Sequence, residues 1–282
     1  MAKKIRMVAT DLDGTFMDGF DSVHPDNIRA LEACEAAGIP VCCITARAYH
    51  LAKRPLALGK FRGLCVTSNG SGIHDVQTGR AHYQLTMPQQ TLYEILKICK
   101  GENVHVGVTG AYYGVDCREL YDPDDIRIKN NYMNTQWPIE QQHDLRTVDT
   151  IEQLAEAMGD TTQSIWIQNK TPDELPGRLY RAIISTGEFL LTSSHPGGLD
   201  VLLPQAGKRN GLARLAEMMG IAPEEVMVCG DHFNDLGMMH WAGLSVAMGN
   251  ADARVRAEAD YVSRPNDQGG VADAIERFIL RA

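Results

Sequence analysis

The run Ile5-Arg6-Met7-Val8-Ala9-Thr10 and the loop Asp11-Leu12-Asp13-Gly14-Thr15 that follows it decide how the rest of the chain is read. The first six residues include Ile, Met and Val without a breaker, and they stop at an acidic turn that contains glycine. Such a run predicts a buried strand ending in a loop. A helix comes next. Pro25 suits its first turn, Ile28, Leu31 and Cys34 recur along one face, and Gly38 stands where a helix stops. Residues 39–44 read as a second apolar strand, 48–58 as a helix and 63–67 as a third strand. Strand, helix, strand, helix, strand is the rhythm of a parallel sheet with helices on its faces.

The rhythm changes in the middle. Residues 88–99 look helical and 104–115 form a hairpin turning at Gly110, whereas 121–148 are polar and without a clear period. Helices over 151–158 and 173–185 alternate with strands near 164–168 and 189–191. The parallel rhythm returns after 199–203, with a helix over 211–219 that stops at Gly220 and strands over 226–229 and 244–247. Helices over 235–242, near 251–259 and over 271–280 complete the chain. The fold class is therefore α/β: a Rossmann-like parallel-sheet core in two parts, residues 1–84 and 199–282, interrupted by an α+β lobe over 85–198.

A chain of 282 residues is long enough for two lobes. Its 27 Lys and Arg against 36 Asp and Glu give a formal charge of −9. Broad binding to nucleic acid or an anionic membrane needs a basic footprint, which this balance argues against, although a local pocket for one phosphate stays compatible with it. The 7 cysteines include no C-x-x-C pair and no zinc spacing, so they read as buried free thiols in a reducing compartment. The apolar stretch of the basic start ends at Asp11, too soon for a signal peptide, and no run approaches the ~20 apolar residues of a membrane span. A cytoplasmic location is expected.

Chemistry gathers at predicted strand ends, where ligands of open α/β sheets bind. Asp11 and Asp13 lie two residues apart at one such end, and a cation between them and a phosphate would relieve their repulsion. A plain turn is the bland alternative. A calcium loop fails, because the twelfth position from Asp11 is Ser22 and the glycine is misplaced. The second cluster, Gly230-Asp231-His232-Phe233-Asn234-Asp235, follows the strand over 226–229. Helix capping accounts for one of its polar residues and leaves the others unexplained. Thr45 offers a hydroxyl at a helix start, suited to phosphate or to simple capping. Lys208 could neutralise phosphate charge or be a solvated surface residue.

These four segments, in this order and spacing, resemble the haloacid dehalogenase (HAD) superfamily, and the inserted lobe resembles the C2-type cap of its Cof-type sugar-phosphatase branch. Gly249-Asn250-Ala251, Ala259-Asp260-Tyr261-Val262 and 266–272 resemble the family's C-terminal pattern. The resemblance implies a Mg2+-dependent phosphatase acting on small phosphate esters. It implies that Asp11 attacks phosphorus, that Asp13 serves as acid and then base, and that Thr45 and Lys208 hold the phosphoryl group. Mg2+ would be bound by Asp11, the Asp13 carbonyl and Asp231. Asp235 would support the metal or Lys208, and Asn234 would orient Lys208 or the substrate. Two departures stand out: Ala46 follows Thr45 where many relatives have glycine, and Gly211 is displaced from the usual place beside the lysine.

Around this centre, the loop Ser68-Asn69-Gly70-Ser71-Gly72 could contact phosphate or act as a hinge loop. His195 could reach the pocket from a turn, and Tyr112, Tyr113, Tyr121, Tyr132 and Trp137 could form a sugar platform or the cap's own core. A phosphotransferase or mutase on the same scaffold and a non-catalytic phosphate sensor are the competing readings. The complete acidic set argues against the sensor.

Overall fold

The computed structural model of the chain describes residues 4–19, 22–120, 144–170, 175, 177–193 and 197–281. Strand β1 (Met7–Thr10) is buried at every position, as its apolar composition dictates. Helix α1 (Pro25–Ala36) starts on its proline, and the His24 ring caps it by accepting from the Asp26 N–H. Strand β2 (Val41–Cys43), helix α2 (Tyr49–Leu58) and strands β3 (Leu64–Thr67), β4 (Gly72–Asp75) and β5 (Ala81–Gln84) follow. Then come α3 (Gln89–Cys99), β6 (Val104–Thr109), β7 (Gly114–Cys117), β8 (Leu145–Val148), α4 (Ile151–Met158), β9 (Ser164–Asn169), α5 (Gly177–Ile184), β10 (Leu190–Thr192) and β11 (Gly198–Leu202). The chain ends with α6 (Lys208–Met218), β12 (Val226–Gly230), α7 (Leu236–Trp241), β13 (Leu244–Ala247), α8 (Ala253–Ala257), β14 (Tyr261–Val262) and α9 (Gly270–Ile275).

Two compact units result. The first comprises Met1–Arg47, Ala52–Tyr83 and Gly207–Ala282, and the second Ala48–Leu51 and Gln84–Ala206. The sheet of the first unit has the order β14-β13-β12-β1-β2, and all its pairs are parallel. The buried Val, Met, Ala and Cys side chains of β1 and β12 suit a parallel sheet covered on both faces. Strand β3 joins beyond β2 through the Thr45 N–H bond to the Val66 carbonyl, 2.9 Å, then reverses into β4. The second unit holds a six-stranded sheet ordered β10-β11-β9-β6-β7-β8. Val104, Val106, Val108, Ile165 and Ile167 form one core with Leu92, Ile95 and Leu96 of α3, Leu154 of α4 and Ile183 of α5.

The core resumes later in sequence than expected. The run over 199–203 reads as the first core strand after the insertion, but as β11 it pairs antiparallel with β9 and β10, and the first unit restarts at Gly207. A short apolar run carries no label for the sheet it will join, so composition could not assign it. The predicted terminal helix over 271–280 is α9 followed by a wider turn, Glu276–Leu280. Of the helix predicted over 173–185, Gly177–Ile184 is observed, while Asp173 lies outside the described residues, as do Tyr121, Tyr132, Trp137 and His195. No helix among the described residues is long and apolar enough to cross a membrane.

The loop after β1 is held by amides from distant segments. Asn27, fully buried on α1, donates to the Phe16 carbonyl at 2.9 Å and accepts from the Ala272 N–H at 2.9 Å. Its removal would leave two backbone groups unsatisfied, each costing about 1–3 kcal/mol. Asn27→Ala is therefore expected to lower unfolding stability by about 2–4 kcal/mol, read as a lower urea midpoint with unchanged slope.

Candidate active site

Register brings the acidic segments together. Thr10 pairs with Cys229 on one side and with Cys43 on the other, so β1, β12 and β2 end side by side. One residue past its strand, the Asp11 N–H donates to the Cys229 carbonyl at 3.0 Å. Asp231 follows β12 directly, and Thr45 follows the Ile44 bridge to Val66. The loop from Leu12 to Phe16 then makes a wide turn closed by the Met17 N–H on the Leu12 carbonyl, 2.9 Å. Gly14 takes φ +74° there, and a Cβ on it would collide with the Asp231 carboxylate. Glycine is needed at this point because the acid must pack against bare backbone.

Side chains fix the loop from three directions. The Thr15 hydroxyl donates to Asp231 Oδ1 at 2.7 Å. Asn250 Nδ2 donates to the Gly14 carbonyl at 2.8 Å, while its Oδ1 accepts from the Asn266 N–H at 2.9 Å. Asn266 Nδ2 in turn donates to the Met17 carbonyl at 2.8 Å.

At the centre Lys208, the first residue of α6, is buried with its Nζ 2.7 Å from Asp11 Oδ1 and 2.7 Å from Asp235 Oδ1. The second oxygen of Asp235 accepts from the N–H groups of Asp231 and His232, both at 3.0 Å. Asp11, Asp231 and Asp235 each present an oxygen within 4.8 Å of the others. Three carboxylates against one ammonium leave negative charge in excess, and an all-oxygen donor set is the kind that suits a hard divalent cation.

The electrostatics agree. Burial pushes the Asp11 carboxyl well above its ordinary range; Lys208 opposes this, and Asp235, Asp231 and Asp13 reinforce it. Asp231 rises to about 6, through burial and then Asp235, with the Thr15 hydrogen bond and Lys208 pulling the other way. Burial works against the Lys208 ammonium, but Asp11 and Asp235 outweigh it and hold the ammonium above its usual value. Lys208 therefore keeps its proton, and the acids carry the unfavourable charge that a cation would relieve.

Two expected residues stand differently from the rest. Asp13 has a half-exposed side chain, 49% accessible, turned to Arg47, whose Nε lies 2.8 Å from Oδ2 and whose terminal nitrogen lies 2.5 Å from Oδ1. Asn234 donates from Nδ2 to Asn69 Oδ1 at 3.3 Å, so among the described residues its hydrogen bond goes to the loop after β3 and not to Lys208. That loop also accepts the Gly207 N–H on the Asn69 carbonyl at 2.6 Å, which ties it to the start of α6. Thr45 is buried, and its Oγ1 accepts from the Arg47 N–H at 3.1 Å. The displaced Gly211 has a packing reason: a Cβ there would lie 2.5 Å from Val66 and 2.7 Å from the Gly70 Cα. Sequence reasoning gave no role to Arg47 or to the loop-holding Asn27. An arginine after a strand is usually solvated, and only the fold supplies its partner.

Comparison with known proteins identifies the family of the chain. The haloacid dehalogenase-like hydrolase family profile matches residues 8–275. The chain is 28% identical to the pyridoxal phosphate phosphatase YbhA of Escherichia coli (strain K12), over 98% of this chain and 99% of that protein. It is 25% identical to the 5-amino-6-(5-phospho-D-ribitylamino)uracil phosphatase YcsE of Bacillus subtilis (strain 168), over 98% and 96%. Among solved structures, a haloacid dehalogenase-like hydrolase from B. subtilis superposes with a TM-score of 0.82 at 25% identity, covering 98% of this chain and 100% of that one.

Replacing Lys208 by Met would leave Asp11 and Asp235 facing each other without a cation. Breaking a buried pair in this way costs about 3–5 kcal/mol, so Lys208→Met is expected to lower unfolding stability by about that amount at pH 7. The loss should shrink as pH falls through about 6, where Asp231 takes up a proton. Urea unfolding at both pH values measures it.

Proposed function

The chain belongs to the haloacid dehalogenase-like hydrolases, and on that premise we propose that it hydrolyses small phosphate monoesters through a phosphoryl group held covalently on Asp11. The two relatives named above are phosphatases, and a phosphatase is what this chain is. The names of the two relatives specify phosphorylated small organic molecules, which supports sugar phosphates or similar monoesters as the substrate class here. The observation that carries the mechanism is the Asp11 carboxylate at a parallel-sheet end, 2.7 Å from a buried lysine and grouped with two further acids.

A dianionic ester repels a carboxylate nucleophile, so positive charge must meet it first. Lys208 supplies one charge and, once Asp11 has attacked, stabilises the equatorial oxygens. Mg2+ held by Asp11 and Asp231, with the Asp13 carbonyl, would supply the rest, and Asp235 keeps Lys208 in place. The hydroxyl of Thr45 holds a phosphoryl oxygen. Asp13 protonates the leaving oxygen and afterwards takes a proton from the water that hydrolyses the intermediate.

Arg47 adds a constraint to this sequence. A carboxyl whose two oxygens both accept from a guanidinium is poorly placed to donate a proton. The incoming phosphate competes for Arg47 as a dianion, so substrate binding frees the Asp13 carboxylate, which takes a proton from solvent before it acts as the acid. Arg47→Ala is expected to raise KM more than it lowers kcat, because ground-state phosphate binding is lost while the acid is freed. A drop in kcat with unchanged KM would contradict this coupling.

The purified protein with Mg2+ should release phosphate from p-nitrophenyl phosphate, lose turnover on chelation and regain it with added Mg2+. Asp11→Asn is expected to lower kcat by at least ~10³-fold, as loss of a nucleophile does elsewhere, and Asp13→Asn to slow it severely with the fold intact. Full turnover by Asp11→Asn would exclude the covalent route.

A further inference from the structure

The hairpin of β3 and β4 turns inside the first unit rather than at its surface. Ser68, Asn69 and Ser71 of its tip are each no more than 1% exposed. Asn69 (φ 49°, ψ 39°) and Gly70 (φ 93°) are the central pair of the turn, which the Ser71 N–H closes on the Ser68 carbonyl at 3.1 Å. Left-handed central residues are what a tight hairpin uses, and Asn and Gly supply them most readily. Ser68, just before them, also takes a positive φ, 50°. Outside this tip, Lys60 is the only non-glycine with positive φ among the described residues.

Polar groups that the turn itself does not use go to segments of the candidate active site. The Ser68 N–H donates to the Arg47 carbonyl at 2.8 Å, and the Asn69 N–H to the Thr45 carbonyl at 3.1 Å. The Thr45 N–H donates in turn to the Val66 carbonyl, so Thr45 is held on both sides by β3 and its tip. The Asn69 carbonyl accepts from the Gly207 N–H at 2.6 Å, directly before Lys208. Gly70 and Gly207 meet there through bare backbone: a Cβ on Gly70 would lie 2.2 Å from the Gly207 carbonyl oxygen. The amide oxygen of Asn69 accepts from Asn234 Nδ2. Buried hydrogen bonds of this kind are costly to break, because the freed groups have no water to turn to.

We propose that Asn69 is a positioning residue for the phosphoryl-holding groups: its left-handed backbone sets Thr45 and Lys208 in one frame, and its amide places Asn234 against the same tip. The assignment rests on the reading above in which Thr45 and Lys208 hold the phosphoryl group. Asn69 touches neither ester nor metal in this scheme and acts through the segments it holds. Asp11 and Asp231 hang instead on β1, β12 and the Thr15 hydroxyl. The frame for phosphate and the frame for the cation are thus built from different parts of the first unit, and a change at Asn69 disturbs the first more than the second.

A hairpin tip that only stabilised the fold would behave differently. Its loss would lower the Tm and loosen every group of the site together, the acids included. A positioning role separates them: the groups for phosphate shift while the acids keep their places. Backbone conformation is the lever that tells the two apart. Glycine takes a φ of 49° freely, whereas alanine takes it with strain. Asn69→Gly and Asn69→Ala both lack the amide, so the difference between them reports on the backbone.

The probes are inorganic phosphate, as a competitive inhibitor of p-nitrophenyl phosphate turnover with Mg2+ present, and Mg2+ alone, followed by calorimetry. Asn69→Ala should weaken phosphate by about tenfold, with Mg2+ affinity no more than twofold below the parent's at a temperature well under the Tm. Asn69→Gly should bind phosphate at least fivefold more tightly than Asn69→Ala. Equal phosphate affinity in these two variants, or a loss of Mg2+ affinity that matches the loss for phosphate, overturns the proposal. Thr45→Ala separates that outcome from failure of the underlying reading. A tenfold loss of phosphate affinity in Thr45→Ala with none in Asn69→Ala overturns the role of Asn69 alone. A loss in Asn69→Ala with none in Thr45→Ala overturns the assignment of Thr45 and, with it, the proposal.

Discussion

The centre of the first unit depends on a single buried ammonium. Lys208 Nζ lies 2.7 Å from Asp11 and 2.7 Å from Asp235, and its side chain is 1% exposed. Without it, acids from three points of the chain would be forced together in low dielectric, and their repulsion would open the loops that carry them. With it, Asp11 is held at a fixed place and remains short of positive charge. In the mechanism proposed above, that shortage is what the chemistry would use: a divalent cation at the acids, together with the ammonium, would make an anionic ester tolerable beside a carboxylate.

The strands and the amides around the acids serve to keep geometry. Parallel pairing puts Asp11 and Asp231 one residue beyond neighbouring strands, so their approach follows from register alone. Thr15 orients Asp231, and the amides of Asn27, Asn250 and Asn266 hold carbonyls of the intervening loop. These amides come from both ends of the chain. The first and last sequence segments of the first unit are thus joined through polar contacts at the site as well as through the sheet.

Legibility in the sequence followed the range of the interactions. Strands with continuous apolar runs, such as Met7–Thr10 and Val226–Gly230, were visible because burial on both faces dictates their composition. The acids Asp11 and Asp231 were visible because charges are unusual at the ends of such strands. Lys208 gained its meaning only from resemblance, since one lysine in a helix carries no mark of burial. The strand Gly198–Leu202 was assigned to the wrong sheet because pairing partners are set by tertiary contacts. The contact of Arg47 with Asp13 depends on the pairing of segments apart in sequence, which no local pattern encodes.

The most direct measurement of the central claim is chemical. The enzyme should be mixed with Mg2+ and an excess of p-nitrophenyl phosphate, quenched in acid within the first turnovers, digested and mapped by mass spectrometry. The account predicts a phosphoryl group on the peptide that contains Asp11, labile to hydroxylamine and missing when Mg2+ is withheld. Rapid turnover with no phosphorylated carboxylate at any quench time, or with the phosphoryl group on another residue, would contradict it.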